Sequence, residues 1–291
     1  MQQDTNRREF LRRTGFAAMG GALIGMAEKT PAAVEMPTIR IGSLAVSRLI
    51  IGGNPFSGHA HQPGNVGRQM TDWYTVERIK STLEQAADVG VNTFLGRADQ
   101  HIMRMLQEYW NGEGRIRNWI AQSAPEFADM SRNIREVAEC GGKGMYIQGA
   151  HTDKLFKAGK LDAVRPWLDE IRERGMLVGV GSHRPDVLLL IQDKGWPVDF
   201  YMQCCYNLSD RDEEYLAEDR EKAFATIRQL EKPVIAFKIL AAGRNNSEES
   251  FQCAFKNIKN TDAVCVGFFM KDRPYEMQQD AELTRKYGRT G

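Results

Sequence analysis

The chain has 291 residues, 42% of them hydrophobic and 26% charged. That is enough apolar side chain for a sizeable core, and it excludes disorder as a whole-chain state. With 39 basic against 38 acidic side chains the formal net charge is +1, so no bulk charge draws the protein to nucleic acid or to an anionic membrane surface.

At the N-terminal end, Asn6-Arg7-Arg8-Glu9-Phe10-Leu11-Arg12 precedes Thr14–Ala27, an uncharged stretch rich in Gly, Ala, Met, Leu and Ile. A basic segment followed by an apolar one too short to span a bilayer comfortably has the make-up of a secretory signal. It resembles a twin-arginine (Tat) export signal: two arginines, a variable residue, Phe-Leu and a basic residue are all matched. The resemblance implies a signal segment over residues 1–33, followed by one domain over residues 38–291. It also implies the Tat export machinery as a partner, a periplasmic or otherwise extracytoplasmic location, and no stable membrane span in the mature form. Cleavage after Ala27 or near Ala32 or Ala33 stays open. Because that pathway exports folded proteins, a nicotinamide coenzyme would have to travel tightly held.

Beyond the signal, short apolar runs alternate with amphipathic stretches. Strands are predicted at Arg48–Gly52, Asn92–Gly96, Asn118–Ser123, Gly144–Gly149, Met176–Gly181, Val198–Cys204, Pro233–Lys238 and Asp262–Gly267. Helices are predicted at Thr75–Val89, Asp162–Arg174, Asp212–Leu230 and Asp272–Lys286, where apolar positions recur three and four apart. Thr71-Asp72 reads as an N-cap for the first, and Gly90, Gly141 and Gly175 read as helix stops. Repeated β-α units predict a single (β/α)8 TIM barrel. No Gly-x-Gly-x-x-Gly follows any strand, which disfavours an open doubly wound sheet. The long segment Gly53–Asp72 reads as a lid or substrate loop, and Asn207–Arg211 as a solvated connection. The cysteines (Cys140, Cys204, Cys205, Cys253 and Cys265) show no disulfide spacing and read as packed thiols.

All 5 histidines fall between a predicted strand and the next helix. In a barrel those segments form the catalytic face, and imidazole suits acid–base work or metal binding near neutral pH. His59, His61 and His101, with Asp99, His151 and His183 on the same rim, offer ligands for a divalent metal, hence metal-assisted isomerase, lyase or hydrolase chemistry. Lys238 ends the seventh barrel strand. There it can contact substrate or phosphate, pair with a carboxylate such as Asp99, or act as a Schiff-base nucleophile.

Several strands resemble those of aldo/keto reductases in order: Val46 to Gly53; Gly90 to Phe94; Tyr146-Ile147-Gln148 with His151-Thr152-Asp153; Gly179 to His183; Gln203 to Leu208 with Arg211; and Thr261 to Gly267. The resemblance covers roughly residues 40–285 and implies that family's barrel. It also implies NADP(H), with Ser182, His183 and Gln203 at the nicotinamide amide, and Gly267, Lys271 and Arg273 as a phosphate cradle before a helix. Of the family's catalytic Tyr, Lys, Asp and His, His151 maps. Residues 97–103 read Arg-Ala-Asp-Gln-His-Ile-Met, without the tyrosine, and Gln122-Ser123-Ala124-Pro125 lacks the lysine. The expected function is therefore oxidoreductase chemistry on a small carbonyl or sugar-like substrate. His151 is expected to act as acid/base or carbonyl polariser, with Arg97, Asp99 and Lys238 beside it. The alternatives are the metal-dependent chemistry above and a non-catalytic small-molecule-binding barrel.

Overall fold

The structure, a computed structural model, describes residues 35–124, 127–206 and 214–289. The expected signal segment and the Asn207–Arg211 connection lie outside them. Eight strands carry the fold: β3 (Leu49–Gly52), β4 (Thr93–Arg97), β5 (Asn118–Gln122), β6 (Gly144–Ile147), β7 (Leu177–Ser182), β8 (Phe200–Cys204), β9 (Val234–Phe237) and β10 (Ala263–Gly267). Each pairs with the next in parallel and β10 returns to β3, closing the barrel. All eight predicted strands are present, shortened or shifted by a residue or two at their ends.

The sequence folds this way because barrel strands are buried on both faces and so read as continuous apolar runs. One set of alternate residues points inward, among them Ile50, Leu95, Ile120, Tyr146, Phe200 and Ile235. The other set, including Ile51, Phe94, Trp119, Val178 and Val264, packs against the surrounding helices. The helix α2 (Val76–Asp88) shows the matching pattern, burying Ile79, Thr82, Leu83 and Ala86, a stripe at helical spacing. Its N-cap is Thr75, whose hydroxyl accepts from Arg78 N at 3.3 Å. Thr71-Asp72, expected in that role, lies inside an additional helix α1 (Val66–Trp73), so the long Gly53–Asp72 loop is partly helical. Gly90, Gly141 and Gly175 stop helices as expected, with φ of 87°, 93° and 77°, a region that favours glycine. No helix among the described residues is long and apolar enough to cross a membrane.

The hairpin β1 (Thr38–Ile41) and β2 (Leu44–Ser47) closes the end of the barrel where strands begin. Its Ile39, Ile41 and Val46 join the inward-facing cluster. Beside it Arg48 is almost fully buried. Its guanidinium donates to the carbonyls of Asp262 (2.8 Å), Gly288 (2.8 Å) and Lys259 (2.9 Å) and lies 4.8 Å from the Phe255 ring. Burial lowers its pKa, against the raising effect of Asp262.

The last helix, α10 (Glu276–Tyr287), buries Asp280, whose carboxylate oxygens have no hydrogen-bond partner. Burial, and then the neighbouring Glu276 charge, push this carboxyl up to about 8. An unfolded aspartate titrates near 4. Between those values the folded protein holds the extra proton, so stability falls as pH rises through that window and levels off above it. Asp280→Asn is expected to match the parent in urea unfolding at pH 4 and to be more stable at pH 9, by a few kcal/mol at most. Parallel pH profiles for the two proteins contradict the assignment.

Candidate active site

A cavity of about 540 Å³ opens at the end where the barrel strands finish. That is the end at which barrels of this kind place their chemistry. Its floor is formed by inward-facing ends of strands. Gln122 and Tyr146 are register partners on β5 and β6, and the Tyr146 hydroxyl donates to Gln122 Oε1 at 2.6 Å. Burial raises the Tyr146 pKa well above its usual 10, so the phenol stays neutral. Cys265 of β10 also reaches the floor, with its thiol pushed up to about 12 by burial.

One wall carries the most organised group. His183 follows β7 and lines the cavity. Asp153, in α5 (Gly149–Lys157), accepts three hydrogen bonds: from Ser182 Oγ at 2.5 Å, from His183 N at 3.1 Å and from His183 Nδ1 at 2.9 Å. A carboxylate on Nδ1 fixes the tautomer and leaves Nε2 as the basic nitrogen. The approach requires Gly149: a Cβ there would come within 3.2 Å of the His183 ring and of Ser182 Cα. Phe237 of β9 packs edge-on against the same imidazole, with ring centroids 5.9 Å apart.

His151 is not in this wall. It lies in α5 two residues before Asp153, and positions two apart on a helix do not share a face. Its ring packs 5.2 Å from Trp167 of α6 (Arg165–Glu173), and burial followed by the Lys154 charge lowers its pKa. His151, the histidine expected to act, therefore does not line the cavity; the imidazole that lines it with a carboxylate partner is His183, held by Asp153.

Among the other expected catalytic residues, Arg97 and Lys238 line the cavity. Asp99 does not: it caps α3 (Gln100–Asn111), accepting from Ile102 N at 2.8 Å, and lies 3.4 Å from Arg97 Nε. The three histidines expected to hold a metal do not converge. His59 and His61 line the cavity, whereas His101 is solvent-exposed in the first turn of α3. Among the described residues, no three His, Cys, Asp or Glu side chains are grouped to bind an ion.

The residues expected around a nicotinamide nucleotide are also divided. His183, Gly267 and Arg273 face the cavity; Ser182, Gln203 and Lys271 do not. The Ser182 hydroxyl is held between Asp153 and Arg184, and Gln203 Nε2 donates to Cys204 O at 2.8 Å. Gln203 Oε1 is buried without a partner. At the opposite edge Arg273 lies 3.4 Å from Glu276, and Asp272 stands beside them. These residues do not form the amide clamp expected of them, and two carboxylates flank the expected phosphate cradle.

The remaining wall comes from two loops tied together. Gln62 Nε2 donates to Ala242 O, and Arg244 Nη1 donates to His61 O at 3.0 Å. His61, Lys238, Ala241 and Ala242 all have positive φ, at 50°, 61°, 49° and 55°, a conformation that costs non-glycine residues. Such strain collects at functional sites. Burial, and then the charges of Lys238, His183, His59 and Arg244, lower the His61 pKa to about 3. It is a neutral imidazole, and Asn54 Nδ2 lies 3.4 Å from its Nε2.

No protein-family profile matches the sequence and no curated protein is similar to it in sequence. Solved structures match in fold. Two from Pseudomonas aeruginosa, each described as an aldo-keto reductase, are 15% identical to this chain. One covers 88% of this chain and 99% of its own at a TM-score of 0.61; the other covers 87% and 94% at 0.60. The glycerol dehydrogenase of Gluconobacter oxydans is 12% identical and covers 87% of this chain and 97% of its own, at a TM-score of 0.47. The two Pseudomonas structures show that the chain has the (β/α)8 barrel of those proteins.

The strain in the paired loops can be measured. Ala242→Gly removes the left-handed penalty at a half-buried position and adds freedom to the unfolded chain, so a net gain of up to about 1 kcal/mol is expected in denaturant unfolding. A loss of stability would show that the φ of 55° is not a strained conformation at this site.

Proposed function

We propose that the protein is an enzyme that moves a proton to or from a hydroxyl or carbonyl group of a small, sugar-like substrate, with His183 as the acid–base residue. The observation that carries this reading is the Asp153 carboxylate on His183 Nδ1 at 2.9 Å, in a cavity that also presents the Gln122 amide and the Tyr146 hydroxyl. The carboxylate holds the ring with Nε2 as the basic nitrogen, so Nε2 takes a proton as base and returns it as acid. The Tyr146 hydroxyl and the Gln122 amide supply polar contacts for substrate oxygens, and Leu95, Met202 and Phe237 supply an apolar surface.

A second reading is hydride transfer with tightly held NADP(H). Two observations favour it: the barrel shared with proteins described as aldo-keto reductases, and the exposed Gly267 turn with Arg273 ahead of α10. The engaged Ser182 and Gln203 side chains count against it. The twin-arginine pattern at Arg7 and Arg8 supports export as part of this proposal. Replacing both by lysine should leave the protein in the cytoplasmic fraction, and unaltered export would refute it.

The test is a panel of aldoses, ketoses, polyols and sugar acids followed by NMR, with and without NADP(H). Turnover found there is expected to fall by about 10²–10⁴ in His183→Ala and to persist in His151→Ala. Asp153→Asn keeps an oxygen that can accept from His183 N and Nδ1 but removes the negative charge behind the ring. It should lower kcat more than it raises KM and should shift the pH profile, with melting unchanged as the control. Full turnover in His183→Ala overturns the proposal. Turnover only with NADP(H), or NADPH fluorescence enhanced on binding, establishes the second reading.

A further inference from the structure

His61 lines the same cavity as His183 and is held from several sides. Its backbone is fixed at a φ of 50°, its carbonyl accepts from Arg244 Nη1 at 3.0 Å, and the side chain of the adjacent Gln62 donates to Ala242 O. Asn54 Nδ2 lies 3.4 Å from His61 Nε2. An amide NH2 only donates, so this contact makes Nε2 the acceptor and puts the ring proton on Nδ1. His183 has the same tautomer for a different reason: the Asp153 carboxylate accepts from its Nδ1 and leaves Nε2 basic. One imidazole therefore offers a donor and the other an acceptor. The rings are close enough that the charge of His183, after burial and Lys238, helps to keep His61 neutral.

We propose that His61 is a second catalytic residue, donating through Nδ1–H to a substrate carbonyl oxygen while His183 Nε2 removes a proton from the carbon beside it. A base alone removes such a proton slowly, because the charge left behind has to be held on oxygen. The N–H of a neutral imidazole is suited to holding it. The substrate class is an α-hydroxy carbonyl sugar, and the reaction is interconversion of aldose and ketose through an enediolate. The C–H electron pair forms the carbon–carbon double bond as the carbonyl π pair moves to oxygen. His183 Nε2 then returns its proton to the former carbonyl carbon. The hydroxyl proton on the first carbon passes to the former carbonyl oxygen, and a ketone is left in its place. No oxidant or reductant is consumed. This inference rests on the acid–base reading for the role of His183, and adds which proton is moved.

Deuterium bound to carbon reports the step directly. The full-length protein is incubated in D2O with glucose, xylose, fructose or dihydroxyacetone, without NADP(H), and followed by NMR. At least one sugar is expected to gain deuterium on the carbon beside its carbonyl, faster than without protein. His61→Gly suits the φ of 50° and removes the donor. It should slow this exchange by about 10²–10³, in kcat more than in KM. His61→Asn also suits positive φ and keeps an N–H, so it should recover part of the rate. No exchange in any of these sugars, undiminished exchange in His61→Gly, or equal losses in the two variants overturns the proposal. Turnover that depends on His183 but leaves no deuterium on carbon sinks this inference alone. Turnover independent of His183 sinks the acid–base reading with it.

Discussion

The constraint on which everything else depends is closure of the barrel between its first and last strands. β10 pairs with β3 from Val264 opposite Leu49 to Gly267 opposite Gly52, and this seam leaves the barrel sheet no free edge. Its two ends are built differently. At the start of the strands, Arg48 spans the seam and donates to the carbonyls of Asp262, Gly288 and Lys259. Such a buried charge costs several kcal/mol to desolvate and is tolerated because its donors are bonded. At the other end the seam finishes in Gly52 and Gly267, where a Cβ on Gly267 would meet Pro55 Cδ at 2.7 Å. One end is filled and the other is left open, and the open end is the cavity.

The cavity also shows a division of labour. Strand ends hold the groups whose position must be exact to fractions of an ångström: Gln122, Tyr146 and His183 all sit on or directly after barrel strands. The loops that carry His61 and Arg244 are stiffened by strain and by cross-loop hydrogen bonds. Asp153 links the two regimes. It comes from a helix yet bonds the end of a strand, so α5 and β7 hold each other in register.

Much of the barrel was legible in the sequence because double burial writes each strand as an apolar run. The hairpin was legible too in principle, since Ile39, Ile41 and Val46 fall on one face around Gly42, but its two strands are short and adjoin a signal-like segment. α1 left little trace: among Val66–Trp73 only Met70 is buried. The site was read less well, for a local reason. α5 starts at Gly149 with no side-chain cap, so nothing in the sequence says whether His151 lies in a loop or on a helix. That single choice decides whether His151 or Asp153 turns toward β7. Gln122 and Tyr146 become a pair only through strand register, which single-strand patterning does not encode. Asp280 is one polar position within the buried face formed with Met277, Ala281 and Thr284, and its isolation is set by its neighbours.

The Arg48 strut has a consequence for the life of the chain before it is folded. One of its three acceptors is the carbonyl of Gly288, so the N-terminal strand is completed by a residue made 240 positions later. During synthesis the growing sheet has two unpaired edges and an uncompensated guanidinium at its start. Partly made chains of this kind are exposed to strand-edge association, and no domain-by-domain order of folding can avoid it. The sheet closes only when β10 arrives, Arg48 gains its last acceptor only when Gly288 follows, and any machinery that handles the nascent protein meets an open sheet until then.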